Sequence, residues 1–178
     1  MRFILLISFL LSGTLFGYSY NELLIKAQST IFPKILLLDK KLNQKLVGGE
    51  ICYTIACEKN DYLTAVALKE QMVKKYRQRL GEYPFKVEVI LFSELSRDKP
   101  MTAIYALNSE KDINKVTNLG KELGILTFAY DMANLKEGIL LSLMVEKSTI
   151  LYLNKRSLPD YKVDFVDSLY RIVRFMDH

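Results

Sequence analysis

Gly138 to Asn154, GILLSLMVEKSTILYLN, is the stretch whose reading decides the fold. Two apolar runs, Ile139–Val145 and Thr149–Leu153, flank the polar break Glu146-Lys147-Ser148. Apolar runs joined by a short polar break predict a β-hairpin. The first run is apolar at nearly every position. Such a strand is covered on both faces by helices, which places it at the centre of a sheet. Neither run carries a nucleophile, a base or a ligand set, so its role is architectural.

Working outward, Glu50–Cys57, Pro84–Phe92, Met101–Leu107 and Ile125–Tyr130 read as four further strands. Asn21 is placed to cap a first helix with Leu23, Ala27, Ile31, Ile35 and Leu38 on its buried face, and Pro33 predicts a kink or a division into two short helices. Asn60 or Asp61 heads a second helix running to about Leu80, with Tyr62, Val66, Val73, Tyr76 and Leu80 buried and Gly81 ending it. Ser109 with Asp112 resembles a capping box for a third helix, whose buried face is Ile113, Val116, Leu119 and Leu123. Pro159 and Asp160 start a closing helix with Phe165, Leu169, Ile172 and Met176 on one face. Strands alternating with helices imply an α/β fold. The expectation is one domain, a largely parallel sheet flanked by helices, with a C-terminal β-hairpin and closing helix.

The chain has 178 residues, half of them hydrophobic, which suffices for a full core. A net charge of +5, dispersed along the sequence, gives no dense basic stripe of the kind nucleic-acid binders carry. Arg2 followed by the apolar run Phe3–Phe16 and by Gly17-Tyr18-Ser19 reads as a signal peptide cleaved after Ser19. Residues 1–19 are then a leader, and 20–178 form an exported, periplasmic domain that is peripheral to a membrane at most. A retained N-terminal anchor is the alternative.

The chemical inventory is sparse. The single histidine, His178, is the last residue, which argues against a histidine metal site or a serine triad. Gly48-Gly49 precedes a strand instead of opening a helix, so it is a turn and not a phosphate cradle. Cys52 and Cys57 are the only thiols. On one extended strand they stand roughly 16 Å apart, and a disulfide needs Cα atoms within about 7 Å. Free buried thiols, a redox or intermolecular role, and a local disulfide on a broken strand all stay open. The carboxylate pairs Glu58/Asp61 and Asp160/Asp164 lie at helix starts, where acids suit the dipole. The loops Glu58–Asp61 and Asp131–Glu137 follow strands, where α/β sheets bind ligands. No catalytic residue, cofactor or metal is expected. Of the 11 tyrosines, Tyr105, Tyr130, Tyr152 and Tyr161 suit either an interface or a core with a bonded hydroxyl.

From ILTFAYD at Ile125–Asp131, through the loop to Gly138 and on to Leu153-Asn154 and the final amphipathic segment with Leu169 and Ile172, the chain resembles the YfiR-like family of exported α/β proteins. The matching pattern is a strand ending on an acidic residue, a glycine opening a hairpin, and an apolar run closing on Asn. The resemblance implies a non-enzymatic regulator that binds and represses the periplasmic part of an inner-membrane signalling protein. A diguanylate cyclase is the type partner, and cyclic di-GMP and biofilm formation the output. A kinase-type sensor is also compatible, and a homodimer stays open. Disulfide control as in some relatives is not matched, since Asp131–Glu137 holds no cysteine. On this reading Asp131, Glu146, Lys147, Tyr152 and Asn154 form the expected partner surface. The alternative is a small-solute-binding module that uses the loops at the strand ends.

Overall fold

A computed structural model describes residues 19–176. The expected leader, residues 1–19, lies outside the described residues except for Ser19.

The longest strand buried along its whole length is β1 (Ile51–Cys57), with all seven of its residues buried. Its odd-numbered side chains, among them Tyr53 and Ile55, enter one core, and Ala56 enters the other. Around it form β2 (Arg79–Leu80), β3 (Tyr83–Leu91), β4 (Ala103–Ala106), β5 (Leu126–Ala129), β6 (Leu141–Val145), β7 (Thr149–Asn154) and β8 (Val173–Met176). They make one eight-stranded sheet in the order β2-β3-β1-β4-β5-β6-β7-β8. Pairing is parallel from β3 to β6 and again between β7 and β8, and antiparallel for β2/β3 and β6/β7. The molecule is therefore a single-domain α/β protein with a mostly parallel sheet.

The hairpin forms as expected, with Leu141 opposite Leu153 and Val145 opposite Thr149. Its place in the sheet differs, because β6 is sixth in order and β4 and β5 hold the centre. Both centre strands carry small side chains, at Ala103, Ala106 and Ala129, which lowers their apolar signal in the sequence relative to the leucine-rich hairpin.

Helices α1 (Glu22–Leu36) and α2 (Tyr62–Tyr76) contribute to the core on one face of the sheet, and α3 (Ile113–Leu123) to that on the other. The first face is aromatic. Phe32 stacks on Phe128 at 4.7 Å and meets Tyr105 edge-on at 5.4 Å. The second is aliphatic and close-packed. A Cβ built on Gly120 of α3 would lie 2.3 Å from Thr127 Cγ2 of β5, so only glycine lets the helix sit there.

Four helix expectations need correction. First, α1 is one helix despite Pro33, which falls in its last turn, where few i→i−4 bonds remain to be lost. Its buried face is Ile25, Gln28, Ser29, Phe32, Ile35 and Leu36, so Leu23 points to solvent. Second, α2 ends at Tyr76, because Arg77 and Gln78 take left-handed conformations and Arg79–Leu80 pairs as β2. It buries Ala65, Leu68 and Met72, and leaves Tyr62 exposed. Third, Ser109 and Asp112 form no capping box: the Ser109 hydroxyl accepts from the amides of Lys111 and Asp112 ahead of α3. Fourth, the closing helix, α4, is short (Asp167–Ile172) and gives way to β8, which takes up the β-branched and aromatic run Val173-Arg174-Phe175. Leu169 is buried and Ile172 is exposed.

Candidate functional site

In the sheet order β1 lies between β3 and β4, so the chain leaves β1 in one direction and later returns on the other side. Ligands of open α/β sheets bind in the crevice beyond the carboxyl ends of the strands at such a reversal. Here the crevice is bordered by Glu58 and Asp61 after β1 and by Asn108 and Ser109 after β4. The chain's own Tyr20 reaches into it. The Tyr20 hydroxyl donates to Asp61 Oδ2 at 2.9 Å and accepts from the Asn108 amide at 3.3 Å. Its ring meets Tyr130 edge-on at 4.7 Å. Burial, and then the Asp61 carboxylate, push the Tyr20 phenol far above its ordinary pKa, so it stays a hydroxyl.

The entry of α1 is fastened to the same place. The Asn21 amide donates to the Tyr130 hydroxyl at 2.7 Å, while the Asn21 side chain caps Leu24. Two turns on, the fully buried Gln28 donates to Tyr130 O and Leu143 O and accepts from the Tyr105 hydroxyl. Beyond Tyr20, the Ser109 hydroxyl donates to Glu58 Oε1 at 2.5 Å, and Asn108 Oδ1 is buried without a hydrogen-bond partner among the described residues. The sequence reading passed over Tyr20 and Gln28. An aromatic residue directly before the helix cap, and polar residues at i and i+1 on an otherwise apolar face, were the available signals.

Cys52 and Cys57 are free thiols, both buried. Cys57 lies at the crevice end of β1, and burial pushes its thiol up to about 12. Burial also raises Cys52. They sit five residues apart on one unbroken strand, which leaves them out of bonding reach.

The expected partner surface divides. Glu146 and Lys147 are exposed in the hairpin turn, and Asp131 is exposed with its carboxylate accepting from the Ala133 amide. Tyr152 and Asn154 are corrections: they are 8% and 6% exposed. Even-numbered positions of β7 face the α3 side, so Tyr152 joins that core and its hydroxyl accepts from Arg174. The Asn154 side-chain amide donates to Leu135 O and Ile139 O, and its oxygen accepts from the Ser157 amide. The Asp131–Gly138 loop is closed from the other side by Thr117, whose hydroxyl donates to Glu137 O, and by Tyr161, which donates to Gly138 O. Gly138 has φ +93°, and a Cβ there would lie 2.7 Å from Thr117 Cγ2. Asp131, Gly138 and Asn154, which carry the family resemblance, thus fasten one corner of the fold.

Asp160 pairs with Lys121 at 2.7 Å and Asp164 with Lys40 at 3.2 Å, on the surface. Among the described residues no group of three His, Cys, Asp or Glu side chains could hold a metal ion, and no helix is long and apolar enough to cross a membrane.

Fold and crevice together define a small α/β domain whose switch-point crevice is closed by its own Tyr20, just ahead of α1. No protein-family model matches the chain, and no curated protein sequence does. Solved structures share its fold. A conserved domain protein from Vibrio cholerae O1 biovar eltor superposes with TM-score 0.58 at 10% identity, over 86% of this chain. The ABC domain from Streptococcus pneumonia in complex with L-Trp superposes with TM-score 0.51 at 12% identity, over 79% of this chain. The chain spans 60% of the length of each.

Proposed function

We propose that the protein is an exported regulator that acts by binding, holding the periplasmic part of an inner-membrane signalling protein inactive. The partner class is a diguanylate cyclase, so that release raises cyclic di-GMP and favours biofilm formation. The observation that carries this reading is the corner just described. Asp131, Gly138 and Asn154, scattered over 24 positions of sequence, do one joint job in the fold. That gives the resemblance to the YfiR-like family a physical basis beyond short apolar matches. The filled crevice agrees with it, since a domain whose strand-end site holds its own tyrosine offers its outer surface for recognition.

The test is co-purification from native membranes, together with deletion of the gene and measurement of cyclic di-GMP. Retention of a membrane protein with a cyclase or kinase output, and a rise in cyclic di-GMP on deletion, are expected. No association and no change on deletion would refute the reading.

A second reading has one observation in its favour. The L-Trp complex of the pneumococcal domain shows a related fold binding an aromatic amino acid, and the crevice here holds an aromatic side chain. If the protein binds such a solute, Tyr20→Ala should bind L-tryptophan more tightly than the unaltered protein in calorimetric titration. Equal heats from both would remove that reading.

A further inference from the structure

Helices α1 and α2 lie side by side and run parallel. Tyr20 reaches Asp61 where both begin, and the Tyr76 hydroxyl donates to Thr30 O further along. Between them runs an open groove of about 930 Å³. Its floor is apolar, with Ile25 and Leu68. Its walls carry Lys26, Lys74 and Lys75, against Glu22 as the single acid in the lining. None of these lysines is in an ion pair among the described residues. Outside the lining, in the first turn of each helix, stand Leu23, 70% exposed, and Leu63, 81% exposed, with Tyr62 beside it at 45%. The lining is charged toward both ends, with Glu22 and Lys26 near the start of α1 and Lys74 and Lys75 near the end of α2.

Isolated exposed leucines are common; these two flank the groove from the first turns of its two helices. The shape argues for a convex rod. Each wall is a 15-residue helix, about 22 Å long, and a helix with its side chains is about 10 Å across. We propose that the α1/α2 groove is the docking site for an amphipathic helix of the membrane partner, apolar where it meets Ile25 and Leu68 and acidic where it meets Lys26, Lys74 and Lys75. This rests on the regulator reading above and names the surface that reading would use.

The experiment is site-specific photocrosslinking in the native cell, using the full chain. A benzophenone amino acid replaces the exposed Ala67 in the groove or, separately, the exposed Lys147 in the hairpin turn. The expected result is a crosslink from position 67 to a membrane protein, mapping by mass spectrometry to a helical segment rich in Asp and Glu. Lys74→Glu with Lys75→Glu should lower its yield at least tenfold, and Lys or Arg in place of the partner's acids should restore it. A membrane protein that crosslinks at 147 and not at 67 leaves the regulator reading standing and overturns the groove. Crosslinks at 67 only to lipid, or only to residues 1–18 of the same chain, also overturn it. No membrane protein at either position removes the regulator reading and the groove with it.

Discussion

The corner around Asn154 and the groove between α1 and α2 are built on opposite principles. In the corner the polar side chains that hold the loop are turned inward. Asn154, Thr117, Tyr161 and Ser157 hold the Asp131–Gly138 loop through backbone carbonyls and amides, and Gly138 is left no room for a side chain. In the groove the lysines have no partner in an ion pair among the described residues, and beside it two leucines lie in water. Residues that carry a resemblance to a family can thus be occupied with the fold, while the proposed docking surface carries no recognisable motif.

The comparison can be broken first at the corner. Asn154→Leu takes the side-chain donor from Leu135 O, which keeps the Gly138 amide, and from Ile139 O, and takes the acceptor from the Ser157 amide; a buried group left unsatisfied costs about 1–3 kcal/mol. Urea denaturation should show a loss of about 4 kcal/mol, the largest effect expected here. A loss below about 1 kcal/mol would mean that the loop is held by something else. Next, Tyr152→Ala removes a ring from the core on the α3 side and should cost about 3 kcal/mol by the same measurement. An unchanged midpoint would return Tyr152 to the surface.

A smaller effect follows from pH. Burial raises the Cys57 thiol to about 12 and holds Tyr53 and Tyr105 well above the ordinary phenol value. These groups bind their protons more tightly folded than unfolded. Their stabilisation is complete below the unfolded values, about 8.5 for the thiol and 10 for the phenols, and is lost as pH climbs toward the folded ones. Lys45, whose pKa burial lowers despite its ion pair with Asp39, works in the opposite direction and gains over the same range, but it is one group against three. The melting temperature should hold from pH 7 to about 8.5 and then fall. A flat profile to pH 11 would contradict the burial of these hydroxyls and the thiol.

How much of this was legible in the sequence depends on what each element uses to fold. The hairpin, β1 and α3 were readable because apolar periodicity alone makes them: β6 and β7 are leucine-rich, and Ile113, Val116 and Leu119 keep helical spacing to a glycine stop. The face of α1 was misread because its buried positions include Gln28 and Ser29, whose burial depends on partners 42 to 115 residues away. The end of α2 was misread because Arg77 and Gln78 adopt a conformation usually left to glycine, and Gly81 drew the boundary too late. The C-terminal segment was read as a long helix because an amphipathic pattern there fits either period, and pairing with β7 decides for a strand. Of the candidate site, the loops after β1 and β5 were legible as strand ends. That Tyr20 would fill the crevice, and that Tyr152 and Asn154 would turn inward, depended on sheet order, which local pattern does not carry.

The groove end of the comparison is tested most directly by Lys74→Gln with Lys75→Gln. Both side chains are exposed and in no ion pair among the described residues, so the melting temperature should match the unaltered protein, with a stability change within about 0.5 kcal/mol. Retention of the membrane partner in co-purification should fall at least fivefold. A variant that keeps its melting temperature and its partner would contradict the assignment of binding to this surface, and one that loses stability instead would show the two lysines to be part of the fold.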